Sequence, residues 1–362
     1  NALTDEQKAQ ITGVEKLDNL LAFFVGKTNA LINGVTYLDE NGSEQTADNV
    51  TEVASGMTAW SDGWYVVNGS VTIDSRVTVS GKVHLILADN ASLIVNGGIN
   101  VAESNSFSVY AQSVGENMGT LTATSSQFGE AGIGGKSGSS GGKITICGGS
   151  IEAASRKNGA GIGGGADGSG GTITIHGGSV TATGGNVAAG IGGGSEGSGG
   201  NITIHGGTVT ATGGDSGAGI GGGFYSSSGN ITISGGNVTA VGGNEAAGIG
   251  GGMSASGGTI TISGGNVTAN GGDSGAGIGG GFNSSGDTVT IHGGTVTATG
   301  GWRGAGIGDE KYNSDSSFTT GENGHALIVA NGGIGDKSQQ DSWSGIIFEG
   351  ENGTVYKDQI LQ

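Results

Sequence analysis

Residues Gly171–Gly199 read GTITIHGGSVTATGGNVAAGIGGGSEGSG, and variants of this 29-residue phrase recur on both sides of it. The isoleucine of its GIGG motif returns at Ile133, Ile162, Ile191, Ile220, Ile249, Ile278 and Ile307, always 29 residues on, without insertion. A second apolar position keeps the same beat through Ile144, Ile173, Ile202, Ile231, Ile260 and Val289. Such constant phase means that each repeat occupies an equivalent place in a stack. Three pieces of the repeat read as extended: Thr172–His176, Ser179–Thr183 and Ala188–Gly192. In the first, Ile173 and Ile175 share one face while Thr172, Thr174 and His176 share the other, the period-2 pattern of a strand. Three strands and three turns make one triangular coil. The expected fold is all-β: a single right-handed parallel β-helix (solenoid), three strands per 29-residue coil. The handedness follows from the general crossover preference, and coils would stack about 4.8 Å apart.

Like residues then pile on like. Ala182, Ala211, Ala240, Ala269 and Ala298 fall in one inward column, and Thr145, Thr174, Thr203, Thr232, Thr261 and Thr290 in one outward column. Thr181, Thr210, Thr239, Thr268 and Thr297 form another, beside a third that breaks at Val241 and Asn270.

The composition agrees with this reading. Glycine supplies 85 of 362 residues and proline none, which excludes collagen, where proline accompanies glycine at every third position. Missing proline suits a chain whose backbone N–H groups are claimed by ladders. The formal charge of −18, with 13 Lys+Arg, disfavours nucleic acid and polyanionic glycans. Cys147 stands alone, so neither a disulfide framework nor a Cys-based zinc site is expected. No apolar run approaches the ~20 residues of a membrane span. Because the chain starts at Asn1, a processed or trimmed fragment is expected.

The flanks differ from the repeats. Thr4-Asp5-Glu6-Gln7 reads as a capping box, followed at helical spacing by Ile11, Val14, Leu17, Leu20, Leu21 and Phe24. This predicts an N-terminal capping helix over the open end of the core. The expected organisation is a cap with helix and incoming strands over residues 1–62, irregular coils over 63–127, the 29-residue repeats over 128–312, and closing coils over 313–362.

The phrasing GAGIGGG…GGTITIHGGTVTATGG resembles the glycine-rich repeat regions of large secreted or surface proteins of gut-type bacteria. The stretches WYVVNGSVTIDSRVTVSGKVHLILADNASLIV and DSWSGIIFEGENGTVY are similar to the same regions, so the likeness covers roughly residues 60–360. It implies an extracellular or cell-surface bacterial β-helix of the kind described as carbohydrate-binding or hypothetical. It transfers no catalytic motif.

Chemistry is sought beside the third strand, where AGIGGG offers backbone rather than side chains. Its glycines read as a tight corner at positive φ, as a smooth groove open to a ligand, or as both at once. Before it, at one repeat position, come Asn186, Asp215, Asn244, Asp273 and Trp302, with Glu245 one residue along. After it come Phe224-Tyr225, Met253 and Phe282. Aromatic faces stack on the C–H surfaces of sugars while carboxylates and amides take the hydroxyls. The expected ligand is thus a glycan or polysaccharide, held by Phe224, Tyr225, Phe282 and Trp302 with Asp215, Glu245 and Asp273, and the expected function is that of an adhesive or carbohydrate-binding module. Phe224 and Phe282 packing on one another's loops is the plainer alternative.

Other classes stay open. A glycoside hydrolase would use paired carboxylates on adjacent coils, with Asp215, Glu245, Asp273, Asp309 and Glu310 as candidates, although acidic residues beside glycine are also ordinary turn formers. The near absence of basic residues in the repeated loops makes a lyase the weaker enzyme. Threonine arrays suit an ice lattice, and a passive stalk would need no site. Cys147, His176 and His205 share a column, but three ligands in a line span too far for one zinc, so exposed turn histidines and no metal centre are expected. GGGADGSGG (Gly163–Gly171) has a calcium-loop flavour without the nine-residue period, which leaves room for one calcium ion at most and no other cofactor.

Overall fold

The computed structural model describes residues 31–255, 258–284, 287–308, 317–320, 326–332, 345–349 and 355–357. Over them the chain winds as an all-β, right-handed-type parallel β-solenoid with three sheets. In the coil quoted above the strands are Thr172–Ile175, Ser179–Thr183 and Ile191–Gly192, so the third is shorter than its sequence suggests. First strands build an 11-stranded sheet, second strands a 12-stranded sheet, and the two-residue third strands a 10-stranded sheet.

Register is kept residue by residue. Ile173 pairs with Ile202, Val180 with Val209, and Ile191 with Ile220. Period-2 alternation sends Ile173, Ile175, Val180, Ala182 and Ile191 inward, all buried, so each coil adds a layer of Ile, Val and Ala to one continuous core. Each fully buried isoleucine contributes about 1.5–3 kcal/mol. Polar ladders run outside: Asn230 Nδ2 donates to Asn201 Oδ1 at 2.9 Å, and Asn266 Nδ2 to Asn237 Oδ1 at 3.2 Å.

The early coils use larger residues, among them Trp60, Leu85, Phe107 and Leu121, and coiling is under way by Thr51–Glu52. Arg76 joins this part to the first regular coil. Its buried guanidinium donates to the carbonyls of Gly97 (3.0 Å), Ala131 (2.9 Å), Gly134 (3.2 Å) and Gly135 (3.3 Å). Glu130 lies 3.3 Å away as its counter-ion. Burial pushes the Arg76 pKa down to about 10, against the pull of Glu130.

The expected capping helix lies outside the described residues, which contain no helix. Within the described residues an antiparallel hairpin, Val35–Leu38 with Glu44–Ala47, folds against the outward face of the first-strand sheet. Tyr37 packs on Trp64 (ring centroids 4.7 Å apart) and Tyr110 (4.9 Å), and Gln112 Nε2 donates to the Thr36 carbonyl at 3.1 Å. Asp39 holds the hairpin turn. Its carboxylate accepts the N–H groups of Ser43 and Asn41 and the Gln45 amide, with its pKa kept below the usual range chiefly by the Ser43 N–H. At the other end, Ala326–Asn331 continues the second sheet in parallel, then Gly345–Glu349 and Val355–Lys357 add antiparallel strands. Among the described residues no helix is long and apolar enough to cross a membrane.

Candidate functional site

The third strand is the tip of a pinched loop. In its coil the Ala189 N–H donates to the Gly193 carbonyl at 2.9 Å, closing the chain around Ile191, and Ala218–Gly222, Ala247–Gly251 and Ala276–Gly280 repeat this bond. The arm leading in and the arm leading out then meet their neighbours across the coil boundary. Phe224 N–H donates to Val187 O (2.9 Å), Met253 N–H to Ser216 O (3.1 Å) and Phe282 N–H to Glu245 O (2.7 Å). Gly190–Gly194 are all buried under this closure.

The smooth-groove reading does not describe these coils, because backbone occupies the space that the glycines leave. A Cβ on Gly193 would stand 1.6 Å from Gly197 O, and one on Gly192 would stand 2.0 Å from Gly221 O. The tight corner is the reading that holds, with Gly192 at φ +135°. What faces solvent is a seam whose two lips are the loops flanking the strand.

Each lip carries its own axial ladder. On the outgoing lip Glu196 N–H donates to Phe224 O (2.8 Å), Tyr225 N–H to Met253 O (2.8 Å) and Ser254 N–H to Phe282 O (2.7 Å). On the incoming lip Glu245 N–H donates to Asp215 O (3.1 Å) and Arg303 N–H to Asp273 O (2.9 Å). The lips are thus ordered like strands. The predicted ligand-binding residues all lie on this seam, and their environments differ.

Phe224 is half-buried against the Tyr225 ring, with centroids 3.9 Å apart. Tyr225 is 59% exposed. Phe282 is half-buried two coils further on, with Met253 at the repeat position between the two phenylalanines, so each belongs to its own stretch of lip. Trp302 is 59% exposed, with the Arg303 guanidinium 5.1 Å from its ring centroid. Asp215 and Asp273 are exposed, whereas the Glu245 carboxylate turns along the seam to accept the Ser216 hydroxyl at 2.9 Å. Asp309 and Glu310 lie outside the described residues.

One residue that sequence reasoning passed over belongs here. Phe128 is 67% exposed. It stands five residues before Ile133, the same repeat position as Trp302 before Ile307. Counting back from every isoleucine would have found it.

Asp167, the residue behind the calcium reading, has φ 62°. Glu196, Tyr225, Ser254 and Asn283 follow in the same column at φ 52–58°, so a left-handed turn defines the position. Asp and Asn suit that conformation, while a tyrosine there is strained. His176 and His205 stack at 4.9 Å, His205 Nδ1 lies 2.9 Å from Ser234 Oγ, and His176 is half-buried, less exposed than a turn histidine was expected to be. Cys147 is partly buried beside the hairpin; burial first, then Glu40 and Asp39, push its thiol up to about 12. No group of three or more His, Cys, Asp or Glu among the described residues could hold a metal ion.

The family model described as "Beta helix repeat" matches residues 117–139, 144–166, 173–195, 202–224, 231–253, 260–282 and 289–309. The segments starting at Ile144, Ile173, Ile202, Ile231 and Ile260 each run from an inward first-strand residue to the outgoing lip of the seam, and residues 117–309 form a β-helix repeat region. No curated protein and no solved structure matches the chain.

Proposed function

We propose that this β-helix repeat region is a carbohydrate-binding, adhesive module of a secreted or cell-surface bacterial protein, with the seam as its binding surface. The observation that carries the reading is the exposure of Tyr225 and Trp302 on lips that backbone ladders already hold in place. Neither ring fills the core. Tyr225 also keeps a left-handed conformation that glycine or asparagine would adopt with less strain, and unfavourable backbone of this kind concentrates at functional sites. Asp215 and Asp273 supply exposed hydroxyl acceptors along the same lip.

The test is a glycan array probed with the intact protein and with Tyr225→Gly and Trp302→Ala. Each substitution should lower retention about tenfold, the loss of one stacking contact of about 1.4 kcal/mol. Tyr225→Gly should at the same time raise the unfolding midpoint, because the left-handed strain of roughly 1 kcal/mol is removed. Retention unchanged in both variants removes the seam as the site. New reducing ends released from a bound polysaccharide, and lost in Asp215→Asn or Glu245→Gln, would replace binding by glycoside hydrolysis.

A further inference from the structure

The exposed rings of the seam are evenly spaced. Phe128 belongs to the coil of Ile133, Tyr225 to that of Ile220 and Trp302 to that of Ile307. The register runs Ile133–Ile162–Ile191–Ile220–Ile249–Ile278–Ile307 without a slip, so Tyr225 lies three coils from each of the others. Three coils correspond to about 14 Å along the axis. Phe128 and Trp302 sit on the incoming lip and Tyr225 on the outgoing one, with the lips bonded to each other between coils.

At the repeat position shared by Phe128 and Trp302, the five intervening coils carry Lys157, Asn186, Asp215, Asn244 and Asp273, one hydrogen-bonding side chain per coil. From residue 158 to 301 the chain contains no Lys or Arg, whereas Glu196, Asp215, Glu245 and Asp273 stand on the lips. An anionic ligand would meet uncompensated like charge there.

An extended, β-linked sugar residue is about as long as the spacing between neighbouring strands in a sheet. Resting on the carbohydrate reading above, we infer that the seam holds a linear, neutral glycan running parallel to the solenoid axis, one sugar per coil. Phe128, Tyr225 and Trp302 stack on the first, fourth and seventh sugars, and the side chains between them take hydroxyl groups. Arginine 303, which lies against Trp302, marks the end of the acidic lip.

Length dependence tests this. Calorimetric titration uses uncharged β-1,4-linked gluco-, manno- and xylo-oligosaccharides of two to ten units, with an oligogalacturonate series as the anionic control. For the series that binds, affinity should rise about tenfold once four units are reached and about tenfold again at seven, then level off. The oligogalacturonates should not bind. Phe128→Ala should abolish one rise and keep the other, while Tyr225→Ala should abolish the rise at four units and leave only one at seven. These side chains are exposed, and unaltered far-ultraviolet circular dichroism confirms that each variant is folded. Glycans that bind with an affinity independent of length, or equally well to Phe128→Ala, overturn the axial arrangement and leave the carbohydrate reading standing. Binding of no glycan in either the array or the titrations overturns the carbohydrate reading itself.

Discussion

At Gly192 the backbone turns through φ +135°, and a Cβ would meet the carbonyl oxygen of the next coil at 2.0 Å. Gly163, Gly221 and Gly250 repeat the angle and the clash at 1.9–2.1 Å. Glycine is needed twice over here, for conformation and for room. Gly192→Ala should therefore cost about 3 kcal/mol, read as a lowered urea midpoint. Gly56→Ala, where a Cβ meets nothing within 4 Å and φ is not left-handed, should stay within about 0.5 kcal/mol. The letters GIGGG announce that backbone must come close to something. Whether that something is a ligand or the neighbouring coil is invisible in them, since both demands select the same residue.

At the scale of elements, the first-strand sheet carries its polar column Cys147–His176–His205 outward, close to the hairpin. The His176 imidazole is held below its ordinary pKa, first by burial and then by the neighbouring His205 charge, with Glu40 pulling the other way. The unfolded chain thus takes up this proton at a higher pH than the folded one does. The stability it contributes is present above about pH 6.5 and is lost as pH falls through the depressed folded value. His176→Asn should flatten the acid limb of a denaturant-midpoint profile below about pH 6.5; an unchanged slope would mean that other groups set it. The strand faces of this sheet were legible from alternation. The hairpin clip was not, because Tyr37 and Tyr110 lie 73 residues apart and neither belongs to a repeat.

At the scale of the whole molecule, equivalence of coils makes the stack divisible. Deleting Asn230–Gly258, one full period, places Thr259 where Asn230 stood and keeps every inward residue inward. The shortened protein should still unfold in a single transition, since each coil contacts chiefly its neighbours. Deleting Gly193 alone should abolish folding of the affected coils, because a one-residue slip moves an inward column outward. Tyr225 and Trp302 come one coil closer in the period deletion, so the upper rise in glycan affinity should move from seven units to six. Arg76 has no such redundancy: its side chain reaches carbonyls on two coils at the junction with the irregular part, where no repeat could forecast it.

By itself the sequence determined the period, the three-strand coil, the inward and outward columns and the side chains available at the seam. Periodicity in a stack converts directly into position, which is why those features could be read from letters alone. Only the tertiary structure decided that the glycine strand is sealed by its own flanking loops, and that Phe128, Tyr225 and Trp302 stay in solvent while Phe224 and Phe282 are half-covered. Those outcomes depend on which backbone groups of adjacent coils reach each other across a pinched loop, a three-dimensional closure that no spacing along the chain encodes.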